Sequence, residues 1–158
     1  MNLIHLPIQL LTPQAQLPQY ASNGAAALDL CAALEQPLTL QPGGRALVST
    51  GVAVALPEGC AGLLFARSGL AVKHGLALSN GVGVIDSDYR GEIRVGLHHQ
   101  GDTAYTIQPG ERIAQLGVFR FETLVPTPVE ALPETTRGAG GFGSTGRLAG
   151  EEGAHGQK

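Results

Sequence analysis

Apolar segments of about five to nine residues, separated by Gly, Pro, Asn or Asp, run through this chain and leave little room for helix. LIHLPIQLL, AAALDLCA, RALVSTGVAVAL, AGLLFA, LALS, VGVI, EIRVGLHH, AYTI and RIAQLGVFRF each read as a strand bounded by turn formers. Between Gly75 and Phe121 no interval between turn signals would hold the helix of a βαβ unit, which argues against a Rossmann or other parallel α/β sheet. The fold class is therefore all-β, as a sandwich, barrel or jelly roll. One stretch, Ser68 to His74, is expected to make a short helix, because Leu70, Ala71 and Val72 tolerate helix and Gly69 and Gly75 punctuate it.

A length of 158 residues fits one domain with one core, and with four Phe, three Tyr and no Trp that core must be aliphatic. Net charge is −3 and no block of Lys or Arg occurs, so duplex nucleic acid finds no electrostatic footprint, although a small nucleotide is still admissible. The opening MNLIHLPIQLLTPQ lacks the basic region and cleavage site of a secretory signal, and its apolar runs are too short to span a bilayer. A soluble cytoplasmic protein without a membrane partner is expected. Cys31 and Cys60 match no metal-ligand spacing and read as reduced, small core residues.

From about Pro126 the chain changes character: three prolines lead into RGAGGFGSTGRLAGEEGAHGQK, where eight of residues 138 to 156 are Gly. Such a segment holds no core and by composition reads as a flexible tail. It contains G-x-G-x-x-G at Gly138, Gly140 and Gly143, and again at Gly141, Gly143 and Gly146. A dinucleotide site needs a strand before, a helix after and an acid about 20 residues downstream. Only 12 residues follow Gly146, so that reading fails. What the tail does carry is a set of donors, its Gly amides with Arg137, Ser144 and Thr145, able to wrap phosphate oxygens, and Phe142 as a ring to cap a base.

Upstream, Arg67, Ser68 and Gly69 set a guanidinium, a hydroxyl and open backbone side by side at a strand-to-helix junction, an arrangement suited to anions or simply a surface Arg beside an N-cap Ser. Asn80 to Glu92 reads as a hairpin of two short strands around Gly and Asp turns, with open backbone groups able to read a base edge. Within it Asp86 follows the apolar Val84-Ile85 pair, poised as a general base or making an Asx-turn, as its neighbour Asp88 also can. Gln115 is a neutral polar group in an apolar run and needs a partner, either structural or a ligand oxygen. Asp29, flanked by Leu28 and Leu30, projects to the opposite face of its strand, toward solvent or toward a metal or water. His98 and His99 are adjacent in a strand and point to opposite faces, so they cannot share one zinc ion.

Taken in order, ALDL, ARSGL, NGVGVIDSDYRGE, GERIAQL and RGAGGFGSTG resemble the five ordered motifs of the trimeric dUTPase family, over a span from about Ala25 to Gly146. The resemblance implies an all-β, jelly-roll-like (β-clip) core over residues 1–125. It also implies a homotrimer, and an arm at 126–158 whose Gly-rich tail closes over a neighbouring subunit's active site. It implies hydrolysis of dUTP to dUMP and pyrophosphate, which limits uracil incorporation into DNA and supplies dUMP. Asp86 matches the general base that orients water on the α-phosphorus. Mg2+ would bridge the phosphates, with Asp29 touching its hydrated shell. Arg67, Ser68, Gly69 and Gln115 match phosphate ligands, and Arg137, Gly143, Ser144 and Thr145 the tail's clamp. Phe142 would stack on uracil, while Asn80 and the backbone of Gly83, Val84 and Ile85 would read its edge. Tyr89 matches the ring against the deoxyribose that refuses a 2′-hydroxyl. Two departures, Ala27 where Gly is frequent and Ala66 where Pro is frequent, alter local backbone freedom but remove no functional group. The rival readings are a dCTP deaminase of the same superfamily and a non-catalytic nucleotide-binding trimer.

Overall fold

Alternation of apolar and polar side chains drives the architecture. In the strand Ile93–His99, Ile93, Val95, Leu97 and His99 are buried while Arg94 is exposed, the period of two that a sheet with one face on a core demands. The structure, a computed structural model, describes residues 4–141. Among them, eleven strands and one helix occur. The strands are β1 (Ile8–Leu10), β2 (Gln19–Tyr20), β3 (Leu28–Cys31), β4 (Leu38–Leu40), β5 (Arg45–Val54), β6 (Cys60–Ala66), β7 (Leu76–Leu78), β8 (Gly83–Ile85), β9 (Ile93–His99), β10 (Tyr105–Ile107) and β11 (Arg112–Arg120). Helix α1 (Ser68–His74) lies between β6 and β7 and ends on Gly75 at φ 67°, as the sequence led us to expect.

All pairings are antiparallel. One sheet has the order β1-β5-β9-β7, the second β2-β3-β11-β6-β8, and β4 pairs with β10 as a separate ribbon. Leu30, Val48, Val52, Leu64, Ile93, Leu97, Ile113 and Leu116 form an aliphatic core between these layers, with no Phe or Tyr fully buried among the described residues. The sheet order is non-sequential, consistent with the jelly-roll-like topology. Two strands escaped the sequence reading: β2, only two residues long, and β4, a brief LTL hidden between prolines.

Two of the ladders are irregular, each at a point where one strand carries unpaired residues. Along β11, Gln115 pairs with Asp29 and Ala114 with Leu30, but Arg112 rather than Ile113 pairs with Cys31. Ile113 is thus an extra residue, a β-bulge, and both Ile113 and Ala114 are buried. Along β5, the register with β9 jumps from Ser49↔Arg94 to Val52↔Ile93, leaving Thr50 and Gly51 unpaired.

The expected hairpin at Asn80 to Glu92 does not form. β7 pairs with β9 in the first sheet and β8 with β6 in the second, so the segment crosses from sheet to sheet and contains one strand between two loops. Gly83 is buried against Leu64 of β6, and this pairing into the second sheet takes the place of a local hairpin. His99 is buried, accepting from the Gly101 amide through Nδ1 at 3.2 Å and bonding the Thr103 carbonyl through Nε2 at 2.6 Å, a structural histidine. Residues Leu124–Lys158 form a unit separate from Met1–Thr123 and carry no strand or helix among their described residues. No described helix is long and apolar enough to cross a membrane.

Candidate active site

Asp29 is only 5% exposed, so solvent is not its partner. Its Oδ2 accepts a hydrogen bond from Arg112 at 3.0 Å, its Oδ1 accepts one from Gln115 Nε2 at 3.0 Å, and Arg67 Nε lies 3.5 Å from Oδ1. Arg67 also donates to the Arg112 carbonyl at 3.1 Å. The β11 bulge makes this possible. Arg112 and Gln115 are three apart and would face opposite sides of a regular strand, but the extra Ile113 turns both onto the face of Asp29. Two guanidiniums and an amide are thereby held around one carboxylate, leaving a net positive, donor-rich surface.

Ser68 and Gly69 are exposed in the first turn of α1, where backbone N–H groups lack intrahelical acceptors. The N-cap is Arg67, with no side-chain cap bond, so Ser68 is not spent on capping. Asp29 and Arg112 also border a cleft of about 620 Å³ with Gln16, Tyr20, Cys31 and Gly110. Cys31 is half-buried there rather than in the core, and burial, reinforced by the Asp29 charge, pushes its thiol pKa up. It is an inert lining group. Cys60 is buried, as expected.

The second group of expected site residues lies elsewhere on the same sheet. Gly83 is buried with a prospective Cβ only 3.0 Å from Leu64, so a larger residue would have to push that side chain aside, whereas Val84 beside it is 63% exposed. Ile85, Asp86 and Tyr89 line a hollow of about 260 Å³ with Leu47, Glu92, Ile93 and Arg94. Asn80 is exposed in the turn leading to β8, next to Gly81 at φ 72°. The Asp86 carboxylate is exposed and has no hydrogen bond or ion pair among the described residues. Neither Asp86 nor Asp88 closes the turn with its side chain; the Tyr89 amide does so, donating to the Asp86 carbonyl at 3.2 Å.

These two groups are far apart within one chain. Leu64 pairs with Gly83 and Gly62 with Ile85, so continuing the ladder sets Asp86 opposite Ala61. Arg67 follows the end of β6, six residues on from Ala61, so its backbone stands about 20 Å from that of Asp86 at ~3.3 Å per residue. In the separate C-terminal unit, Arg137 Nε donates to the Gly140 carbonyl at 2.9 Å. Phe142, Gly143, Ser144 and Thr145 lie outside the described residues.

A cationic, donor-lined surface and an unpaired carboxylate beside a small hollow are the parts that a nucleotide polyphosphate and a water nucleophile require. The dUTPase family model matches residues 13–146. The chain belongs to the dUTPase family. Its curated dUTPase relatives include the deoxyuridine 5'-triphosphate nucleotidohydrolase of Ralstonia nicotianae, 48% identical over 90% of this chain and 98% of that one. The enzyme of the same name from Desulfitobacterium hafniense is 54% identical over 83% and 87%. Among solved dUTPases, a mutant of the Staphylococcus bacteriophage 80alpha enzyme with dUpNHpp superposes with a TM-score of 0.84 at 29% identity, covering 90% of this chain and 99% of that one. A phage phi11 dUTPase, described as coordinating a structural Mg(II) ion, gives 0.76 at 25% identity over 83% and 100%. Against this dUTPase background, the residues that the sequence reading passed over are Arg112, which completes the Asp29 cluster, and Glu92, which fastens the Tyr89 loop. The only sequence signal for Arg112 was its place inside GERIAQL.

Proposed function

We infer that this chain hydrolyses dUTP to dUMP and pyrophosphate, as a dUTP diphosphatase. Family membership and relatives bearing that activity in their names support the reaction. The observation that carries the mechanism is the contrast between the two halves of the site, a charge cluster already tied together on Asp29 and a carboxylate at Asp86 left free of partners.

In our reading, Arg67 and Gln115, with the Ser68 and Gly69 donors, bind phosphate oxygens, and Arg112 joins them. Asp86 holds a water in line with the α-phosphorus and accepts its proton as the P–O bond to pyrophosphate breaks. Asn80 and the backbone of Gly83, Val84 and Ile85 read the uracil edge, and Tyr89 lies against the deoxyribose. The tail residues Arg137, Phe142, Gly143, Ser144 and Thr145 complete the phosphate clamp and the base stack, with residues 126–158 acting as an arm over a neighbouring subunit. Because Asp86 and Arg67 of one chain stand about 20 Å apart, far more than a triphosphate bridges, the reading requires Asp86 from one chain and the Arg67 cluster from another. A homotrimer meets that need.

A divalent ion fits the donor chemistry in one manner. No cluster of three His, Cys, Asp or Glu suited to a metal occurs among the described residues. Asp29 has both oxygens engaged but keeps lone-pair capacity, since a carboxylate offers about four acceptor sites. It suits a hydrated Mg2+ carried by the triphosphate, reached through water. When bound, that ion neutralises phosphate charge. We place the protein in the cytoplasm.

The test is pyrophosphate release from dUTP, dCTP, dTTP and UTP, with and without a chelator, for the wild type and Asp86→Asn. dUTP alone should turn over at speed, and Asp86→Asn should lose turnover while still binding dUpNHpp. Retained turnover in Asp86→Asn would refute the role of Asp86, and ammonia release from dCTP would point to the deaminase instead.

A further inference from the structure

The unpaired Thr50 and Gly51 of β5 bear directly on the Tyr89 loop. Gly51 has φ 65°, and a Cβ there would come 2.6 Å from the Ala15 Cβ and 2.7 Å from Thr12 Oγ1, so only glycine fits. The bulge turns the Gly51 N–H out of the ladder and onto Glu92 Oε1, at 2.8 Å. The wholly buried Thr50 hydroxyl donates to the Ile93 carbonyl at 2.5 Å and accepts from the Val52 amide at 3.3 Å. Glu92 is thus fastened by its side chain and Ile93 by its carbonyl.

Glu92 in turn holds Tyr89. The Tyr89 hydroxyl donates to the Glu92 carbonyl at 2.9 Å, and the ring lies over Gly91, where a Cβ would come within 2.5 Å of that hydroxyl. Neither ion pair among the described residues involves Glu92. Its charge is committed to one backbone donor, the short, strong kind of hydrogen bond that fixes orientation.

We propose that Glu92 is a specificity-determining positioning residue: gripped by the Gly51 amide, it fixes the carbonyl that anchors the Tyr89 hydroxyl and so sets how closely the ring approaches C2′ of the substrate. The inference rests on the reading of Tyr89 as the group that refuses ribonucleotides. A Tyr free to swing would leave room for a 2′-hydroxyl, so losing the tether costs selectivity more than speed.

The experiment compares kcat/KM for dUTP and UTP in the full-length wild type, Glu92→Ala, Glu92→Gln, Tyr89→Phe and Tyr89→Ala. Glu92→Ala and Tyr89→Phe should each lower the dUTP preference by about tenfold with a smaller change in kcat for dUTP, whereas Glu92→Gln, whose amide oxygen accepts the same N–H, should stay within about threefold of wild type. If Glu92→Ala does not fold, Tyr89→Phe, which deletes only the hydroxyl of the same tether, decides the matter. Undiminished preference in Tyr89→Ala would defeat the reading of Tyr89 and this inference with it. Lost preference in Tyr89→Ala but full preference in Tyr89→Phe, and in Glu92→Ala where it folds, would overturn the role of Glu92 alone.

Discussion

If, as proposed, the two halves of the site come from different chains, mixing two dead variants should rescue activity. Asp86→Asn lacks the proposed base but keeps the Asp29 cluster, while Arg67→Ala keeps that carboxylate and loses a proposed phosphate ligand. Each alone should be nearly inactive. If every site takes Asp86 from one subunit and Arg67 from a neighbour, then co-refolding equal amounts of the two variants gives each site an intact Arg67 half the time and, independently, an intact Asp86 half the time. Activity should recover to about one quarter of wild type for random assembly into a closed ring. The assay is pyrophosphate release from dUTP after denaturing and refolding the mixture, with native mass spectrometry to verify mixed assemblies. A site within one chain gives a different number, since every chain carries one lesion and no intact site can form. Mixed assemblies with activity no higher than the separate variants would refute the reasoning, and with it the ladder-based separation of about 20 Å.

Other outcomes depend on single contacts. Asp29→Ala leaves Arg67 and Arg112 facing each other and Gln115 without its acceptor; because Arg112 is 50% exposed, water repairs part of the loss. The expected cost is about 1–3 kcal/mol in a urea melt, together with weaker dUpNHpp binding by calorimetry. Gly83→Ala presses a methyl to within 3.0 Å of Leu64 and should destabilise by about 1–2 kcal/mol while raising KM for dUTP more than it lowers kcat. Burial, then the hydrogen bond to Glu111 and the Glu111 charge, push the Tyr105 pKa up to about 12. The neutral phenol is therefore the form the fold prefers: its contribution is complete below the ordinary value near 10 and is lost as pH rises toward 12. Tyr105→Phe should flatten the fall in stability over that window, as read from urea unfolding at stepped pH.

The sequence carried the all-β class and the bounds of α1 because both rest on local signals: turn formers between apolar runs, and glycines at the helix's edges. Tertiary competition was invisible to it. The segment Asn80 to Glu92 has the look of a hairpin, yet it holds a single strand, Gly83–Ile85, which pairs with β6 and not with its own neighbour in sequence. The candidate residues, and a site shared between subunits, were implied by family resemblance; the ladder registers add which of those residues lie near one another along the sheet. The partners of Asp29 escaped for a sharper reason. An alternating pattern assigns Arg112 and Gln115 to opposite faces, and nothing in RIAQL announces that one residue drops out of the pairing. Glu92 was hidden likewise, since its partner is a backbone amide that only the second bulge turns toward it.

The bulge at Ile113 lets β11 carry a buried aliphatic residue between Arg112 and Gln115 without turning either side chain away from Asp29. Exchanging Ile113 for another aliphatic residue asks only that the core repack. Excising it would leave Arg112 and Gln115 two apart, on one face of a regular strand, so the grip on Asp29 would survive and the cost would be the lost Ile113 side chain. Natural variation here should therefore keep the bulge and its extra letter together or lose both.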